Sequence, residues 1–361
     1  MKALGKVSTS QMFSVLFLCR IISLFTFMLP SASYLPSGDR IITAIPVMLF
    51  EFIYCIIIIF TLKKTENKGL ISSVSQLSRS SGRILAVIYT LAFVWFAGIG
   101  TARFELFIST VMFPNSELYF MIIILLTAAF YASLKGIEAI SRASSILLFI
   151  LGASVIFILI SVLGDFKYTN LRPILTEGFT PVLSFSFYVS VRAAELLTLY
   201  INAPYINGKT GKMTFVWITA FFSISTVILV VLSGVTGEFG NDQIFPLYTL
   251  TVIAKIGIFE RLDDILTGIW VLCSFIQLSY LINTGMNALK QGFGKIKKIP
   301  SGAMITCGIF IVYLLSSRTV AVFSEAVSSR VIDVCFLMLM IVIPTTSALV
   351  VSKKNKRRKI C

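Results

Sequence analysis

Four charged side chains lie inside apolar stretches of this sequence: Arg20, Glu51, Arg192 and Glu195. A charge in the middle of a bilayer costs a few kcal/mol or more, so such residues normally face the interior of a helix bundle and mark a functional pathway. Two kinds of chemistry fit them. They can contact a polar ligand, or they can neutralise one another and hold the bundle together. The residue types alone leave both alternatives open.

The stretch Thr180–Tyr205 carries two of these charges and is long enough to cross a bilayer. Pro181 and Pro204 bracket it, and its first half also carries three serines: Ser184, Ser186 and Ser190. A helix this polar at membrane depth is tolerated only where it is buried in protein or lines a wet cavity. We therefore interpret this stretch as the binding-site helix of a transporter-like protein.

The spacing of the charges predicts how they are arranged. At a rise of 1.5 Å per residue, Arg20, Glu51 and Arg192 each lie about 12–17 Å into their spans and thus at similar depth. Arg192 and Glu195 are three residues apart, so on one continuous helix their side chains would meet. A second pair, Arg103 and Glu105, is expected near the outer rim, at the membrane interface.

The composition is that of an integral membrane protein. The chain has 361 residues, of which 57% are hydrophobic and only 13% charged, and its mean hydropathy is +0.93. Soluble domains are closer to one quarter charged. The formal net charge of +15 comes from lysines and arginines in short gaps between apolar runs and in the terminal KKNKRRK. This distribution is typical of a polytopic membrane protein, and no basic surface suited to nucleic acid is expected.

Several classes of site are disfavoured by what the sequence lacks. It contains no histidine, which excludes histidine triads, most zinc sites and a histidine pH switch. Five of the six cysteines lie in apolar runs without CxxC spacing and are expected to be small core residues. No nucleophile is paired with a base, so an enzyme is the class least expected. We predict no catalytic residue, no metal site and no cofactor, and no cleavable signal peptide.

About ten apolar runs are long enough to span the hydrocarbon core as helices, which takes roughly twenty residues each. The predicted spans are 11–33, 41–62, 84–112, 118–135, 143–164, 181–205, 213–234, 260–288, 301–318 and 330–351. The segment 235–259 is expected to hold a short helix against the outer face. The fold class is thus all-α and membrane-embedded, and residues 1–361 form a single transmembrane domain.

The charges predict the orientation. With the N-terminus inside, about 21 lysines and arginines fall in inner segments and 7 in outer ones. This split favours both termini in the cytoplasm. The longest inner segment, Lys63–Arg83, is rich in serine and is expected to be flexible or to lie on the anionic inner leaflet.

Ten spans suggest two five-helix repeats of opposite topology, 11–164 and 181–351. In such folds the first and sixth spans are interrupted near the midplane and form the binding site. Both are polar here, since span 1 carries Arg20, Ser23 and Thr26. Neither span has a glycine near its middle, so the sequence itself does not reveal an interruption.

Three further segments are, taken singly, ordinary loop architecture: GIEAISR (136–142), NLRPIL (170–175) and FPLYTLTVIAKIGIFERLDD (245–264). Their order and spacing together resemble the B subunit of the nutrient germinant receptors of spore-forming bacteria, the spore germination permease family. The resemblance runs from about Gln11 to span 10 and includes the Glu195 region. That family belongs to the amino acid–polyamine–organocation superfamily, which implies the inverted-repeat fold of LeuT-type transporters.

The resemblance implies a nutrient-sensing subunit that acts with A and C partner subunits in the spore inner membrane. Its ligand would be a small nutrient, typically an amino acid, held between spans 1, 3, 6 and 8. The ligand-binding residues implied by position are Arg20, Ser23, Thr26, Ser184, Ser186, Ser190, Arg192 and Glu195. The sequence departs from the family pattern in span 1, where RIISLFTF replaces a glycine-containing break, and at Ala194, which replaces a glycine.

Three functions remain in competition. A receptor subunit and a secondary transporter of amino acids or similar solutes both need an occluded polar site, so sequence patterns do not separate them. A transporter would move its solute without partners, whereas a receptor subunit would not. A structural or ion-conducting subunit without a ligand of its own is the third hypothesis.

Overall fold

The computed structural model describes residues 6–25, 35–113, 118–241, 243–254, 263–317, 323 and 329–360. The chain is almost entirely helical over these ranges. Its first half contains α1 (Thr9–Phe25), α2 (Ser37–Lys64), α3 (Leu70–Ser75), α4 (Arg79–Val111), α5 (Tyr119–Lys135) and α6 (Ile137–Ser161).

The second half begins with two short helices in line and continues with long ones. It contains α7 (Phe179–Ser190), α8 (Ala194–Asn202), α9 (Thr210–Thr236), α10 (Pro246–Ile253), α11 (Asp263–Phe293), α12 (Lys298–Ser316), α13 (Arg330–Leu337) and α14 (Ile343–Ile360). A π-helical segment, Met338–Val342, joins α13 to α14.

The ten predicted spans are recovered as helices. Eight helical segments in the described part of the chain are long and apolar enough to cross a membrane, and the two remaining predicted spans correspond to the shorter apolar helices Thr9–Ile22 and Tyr119–Lys135. Within its described residues, 235–241 and 243–254, the segment 235–259 holds the short helix α10 that was predicted. The all-α, membrane-embedded fold class is therefore confirmed.

Burial separates central helices from peripheral ones. In α6 large apolar side chains are exposed, including Phe149 at 79% and Ile146 at 67%. In α11 most of the spanning stretch is buried inside the protein, and the helix packs against α1, α4, α5, α6, α8 and α12. Exposed apolar side chains on this scale are typical of a lipid-facing surface. Helix α11 is therefore the centre of the bundle, and α6 lies at its rim.

The sixth predicted span is broken. Helix α7 ends at Ser190, residues Val191–Ala193 form a turn, and α8 begins at Ala194. Val191 has φ −73° and Ala193 has φ −77° with ψ 58°. Because these φ values are open to any L-residue, no glycine is needed, and the sequence could not reveal the break. In span 1, α1 is continuous to Phe25, and the rest of that span lies outside the described residues.

A two-residue parallel pairing joins distant parts of the chain. Strand β1 (Val7–Ser8) pairs with β2 (Ile206–Asn207), with Val7 opposite Ile206. β1 leads directly into α1, and β2 follows α8 after one 3-10 turn. Gly208 comes next with φ +126°, and a Cβ there would lie 2.8 Å from Thr9 Cγ2. We call this end of the bundle the strand-pair end.

The segment Lys63–Arg83 is folded, so of the two alternatives predicted for it the flexible one is wrong. Helix α3 buries Leu70, Ile71 and Val74 against the bundle. Its serines do not prevent burial, because their hydroxyls donate to the helix's own carbonyls, as Ser73 Oγ does to Gly69 O at 2.8 Å. Three apolar residues with the right spacing thus outweigh the polar composition of the segment.

Candidate functional site

Three buried side chains from three helices meet in the interior of the bundle. Arg20 of α1, Glu51 of α2 and Glu195 of α8 are 1%, 0% and 3% exposed. The Arg20 Nη2 group donates to Glu51 Oε1, and Arg20 Nη1 lies 3.1 Å from Glu195 Oε1. We call Arg20, Glu51 and Glu195 the charge cluster. The predicted common depth of Arg20 and Glu51 is confirmed by their contact.

The charge cluster is unbalanced, with two carboxylates around one guanidinium. Within the described residues, Glu51 Oε2 and Arg20 Nε have no hydrogen-bond partner, and Glu195 Oε1 meets the guanidinium at ion-pair distance without hydrogen-bond geometry. Buried polar atoms are almost always satisfied, and one left without a partner costs about 1–3 kcal/mol. These atoms can therefore form hydrogen bonds with a polar group of a ligand that enters the site.

Arg192 does not meet Glu195, contrary to the prediction from their spacing. Its Nη2 lies 3.0 Å from Asp333 Oδ1 on α13, and its Nη1 donates to Tyr188 O at 2.6 Å. The guanidinium carbon also lies 3.3 Å from the centre of the Tyr188 ring. The rule for residues three apart requires a continuous helix, and here Arg192 lies in the turn Val191–Ala193 whereas Glu195 lies in α8. Arg192 therefore joins the broken span to span 10.

Arg103 is also placed differently from the prediction. It is half-buried on α4 and interacts electrostatically with Arg20, Arg192 and Glu195. Eight residues separate it from the end of α4 at Val111, which is about 12 Å along the helix axis. The Arg103 side chain therefore lies well inside the rim, beside the charge cluster.

The predicted serines divide into two groups. Ser186 is buried and donates to Val182 O at 2.7 Å and Thr43 O at 3.2 Å, and Ser190 is buried with its Oγ 3.4 Å from Tyr54 Oη. Both hydroxyls thus face α2. Ser184 is exposed and is not brought to the site. The side chain of Ser23 and all of Thr26 lie outside the described residues.

Comparison with known proteins identifies the family. A family model described as Spore_permease, spore germination protein, matches residues 6–322. The chain belongs to the spore germination protein family. Among curated relatives, spore germination protein KB of Bacillus subtilis (strain 168) is 26% identical over 255 residues, covering 67% of this chain and 66% of that protein. Spore germination protein A2 of the same strain is 23% identical over 262 residues, covering 70% of each.

The fold of this spore germination protein is also that of a solved transporter. A structure of a Na+-coupled sialic acid symporter in a substrate-bound, outward-open state superposes with a TM-score of 0.61. The match covers 93% of this chain and 78% of the symporter at 13% identity. At this identity the likeness concerns the fold alone, and it supports the transporter-type architecture that was predicted.

This spore germination protein has a second polar feature that the sequence reading missed. Between α8 and α11, Tyr280 Oη donates to Thr198 Oγ1 at 2.7 Å, and Asn202 Nδ2 donates to Thr284 Oγ1 at 2.8 Å. Asn287 Nδ2 then donates to Asn202 Oδ1 at 3.1 Å. The available signal was the spacing of 280, 284 and 287 on one face of an otherwise apolar span. The network fastens α8 to α11 between the charge cluster and the strand-pair end.

Metal-binding geometry and cysteine burial complete the description of the site. In the ranges that the structure covers, no group of three histidine, cysteine, aspartate or glutamate residues is placed to hold a metal ion. Cys19, Cys55 and Cys273 are buried, as predicted. Cys307 and Cys335 are exposed, so the prediction of a core position is wrong for these two, because an apolar run also supplies the lipid-facing side of a helix.

Proposed function

We propose that the protein is the nutrient-sensing membrane subunit of a spore germinant receptor, built on a transporter-type fold. Its ligand is a small nutrient of the amino acid class. The observation that carries this proposal is the turn Val191–Ala193, which breaks the sixth span directly beside the charge cluster. Membership in the spore germination protein family supports the same function.

The chemistry around the break favours a ligand that carries both a carboxylate and an ammonium group. The first turn of α8 carries the positive end of the helix dipole, and the Arg20 guanidinium lies beside it; both attract a carboxylate. The buried Glu51 Oε2, without a hydrogen-bond partner in the described chain, is suited to an ammonium group. A free amino acid carries the two groups together. The ligand-binding residues we propose are Arg20, Ser23, Thr26, Ser186, Ser190, Arg192 and Glu195, joined by Glu51.

The wider setting is part of the same proposal. The protein acts with A and C partner subunits of the receptor in the spore inner membrane, with both termini in the cytoplasm. Its single membrane domain consists of the repeats 11–164 and 181–351. The basic residues at the strand-pair end, such as Lys209 and Lys212, support the orientation, since inner loops carry the excess of lysine and arginine.

The test is deletion of the gene in its spore-forming host, followed by germination assays with a panel of single nutrients. We expect loss of the response to a defined nutrient, restored by the wild-type gene, while uptake of that nutrient by growing cells stays normal. An unchanged germination profile in a strain that lacks related receptor genes would contradict the proposal.

The alternative is a secondary active transporter of amino acids or similar solutes, and the broken sixth span favours it equally, since helix interruptions are a device of transporter sites. Reconstitution separates the two functions. Purified protein in liposomes, without partners, would accumulate labelled amino acid if it were a transporter. Absence of uptake, together with the germination phenotype, favours the receptor subunit.

A further inference from the structure

A groove at the strand-pair end lies apart from the charge cluster. It runs between the first turns of α1 and α9 and has a volume of about 550 Å³. The pairing of β1 with β2 creates it, because two parallel segments lead into two helices that begin side by side. A volume of this size is in the range of small-molecule binding sites.

One part of the groove is polar and positively charged. Lys209 and Lys212 line it together with Thr9 and Ser10. Both lysines are exposed, and none of the ion pairs within the described ranges involves either of them. The hydroxyls and the first turn of α9 add hydrogen-bond donors of the kind that bind phosphate. The positive charge therefore has no acidic side chain to balance it here.

The inner wall of the groove is apolar. Phe13 of α1 and Met213 and Val216 of α9 line this part. Val216 is 47% exposed, and its neighbour Phe215 is 52% exposed. Two exposed apolar residues on a membrane-spanning helix indicate a lipid-facing surface, so the groove opens toward the bilayer and not only toward water.

We propose that this groove binds an anionic phospholipid of the adjacent leaflet. Lys209 and Lys212 contact the phosphate, Thr9 and Ser10 donate hydrogen bonds to the headgroup, and the Phe13–Met213–Val216 wall covers the first acyl carbons. Paired lysines next to a membrane surface attract anionic lipid. An inorganic phosphate ion satisfies the lysines but leaves the apolar wall without a partner, which is why the lipid is the occupant that fits. The site does not depend on the nutrient-binding function.

The experiment uses the full-length protein in detergent and native mass spectrometry of retained lipid. Wild type is titrated with phosphatidylglycerol and, separately, with phosphatidylcholine. The test variant is Lys209→Gln/Lys212→Gln. The matched control is Lys295→Gln/Lys297→Gln, which removes two exposed lysines from the loop between α11 and α12. Val216→Trp, at a lipid-exposed position, fills the apolar part without changing any charge.

We expect wild type and the control to retain one phosphatidylglycerol that the test variant binds about tenfold to thirtyfold more weakly. Val216→Trp is expected to lose the same lipid, and phosphatidylcholine to bind more weakly than phosphatidylglycerol in wild type and in the control. Equal retention by test and control variants would overturn the proposal. It would also be overturned if millimolar inorganic phosphate displaced the lipid completely and Val216→Trp had no effect, since the site would then be one for a free anion.

Discussion

Arg20 Nη1 on α1 and Glu195 Oε1 on α8 lie 3.1 Å apart, and Glu195 is in the first turn after the break of the sixth span. The ion pair therefore fixes α8, the second half of the broken span, to span 1. Glu51 holds the same guanidinium from α2. A single arginine thus connects three helices, and a ligand that entered here would compete for it.

Replacing Glu195 by Gln is expected to weaken the nutrient response while the protein stays in the membrane. Arg20 keeps Glu51 as a partner, but the negative charge of Glu195, which lies 3.1 Å from the guanidinium, is lost from the site. The half-maximal nutrient concentration for germination should rise at least about tenfold. It is measured on spores that carry the variant, with protein level checked by immunoblot.

The control for that variant is Glu138→Gln, which breaks the exposed pair between Arg142 Nη2 and Glu138 Oε1 at 2.6 Å. Exposed pairs of this kind contribute only about 0.3–0.5 kcal/mol, so the response should be normal. A normal germination response of the Glu195→Gln variant at normal protein level would contradict the assignment of Glu195 to the site.

Arg20→Gln is expected to destabilise the protein far more than Glu51→Gln. Removing the arginine leaves two buried carboxylates without a cation, which costs about 3–5 kcal/mol, whereas removing Glu51 leaves the Arg20–Glu195 pair intact. The measurement is the thermal midpoint of the purified protein in detergent. Equal losses in the two variants would show that the imbalance of charge in the cluster has no energetic consequence.

The pair formed by Arg192 and Asp333 is expected to couple the broken span to span 10. A double-mutant cycle with Arg192→Gln and Asp333→Asn should give a coupling free energy of about 0.5–3 kcal/mol in thermal stability. The same cycle on Arg142 and Glu138 provides the comparison with an exposed pair. Additive effects of the two substitutions would mean that the 3.0 Å contact contributes nothing.

Gly98 is expected to be a packing position that tolerates no larger residue. A Cβ added there would lie 2.4 Å from Val312 Cγ1, so Gly98→Ala should cost about 1–3 kcal/mol by overpacking α4 against α12. Gly152→Ala is the matched control, because nothing lies within 4 Å of its added Cβ. Adding Val312→Ala to Gly98→Ala should recover part of the loss. Equal thermal midpoints for the two single variants would contradict this assignment.

The sequence predicted the spans because each needs only about twenty apolar residues, and this requirement is local. It also predicted that Arg20 and Glu51 share a depth. It did not predict the partners of Arg192, because the turn in which Arg192 lies uses backbone angles open to any residue. Asp333 could not be paired with Arg192 from the sequence, since only the packing of α13 against the break brings them together.

The pairing of β1 with β2 has a mechanical consequence. Helices α1 and α8 run side by side in opposite directions, and they are tied at both ends: by the two strands at one end and by Arg20 and Glu195 at the other. Because two separated ties resist both sliding and tilting, the position of α8 relative to α1 is fixed at both ends, next to the turn Val191–Ala193.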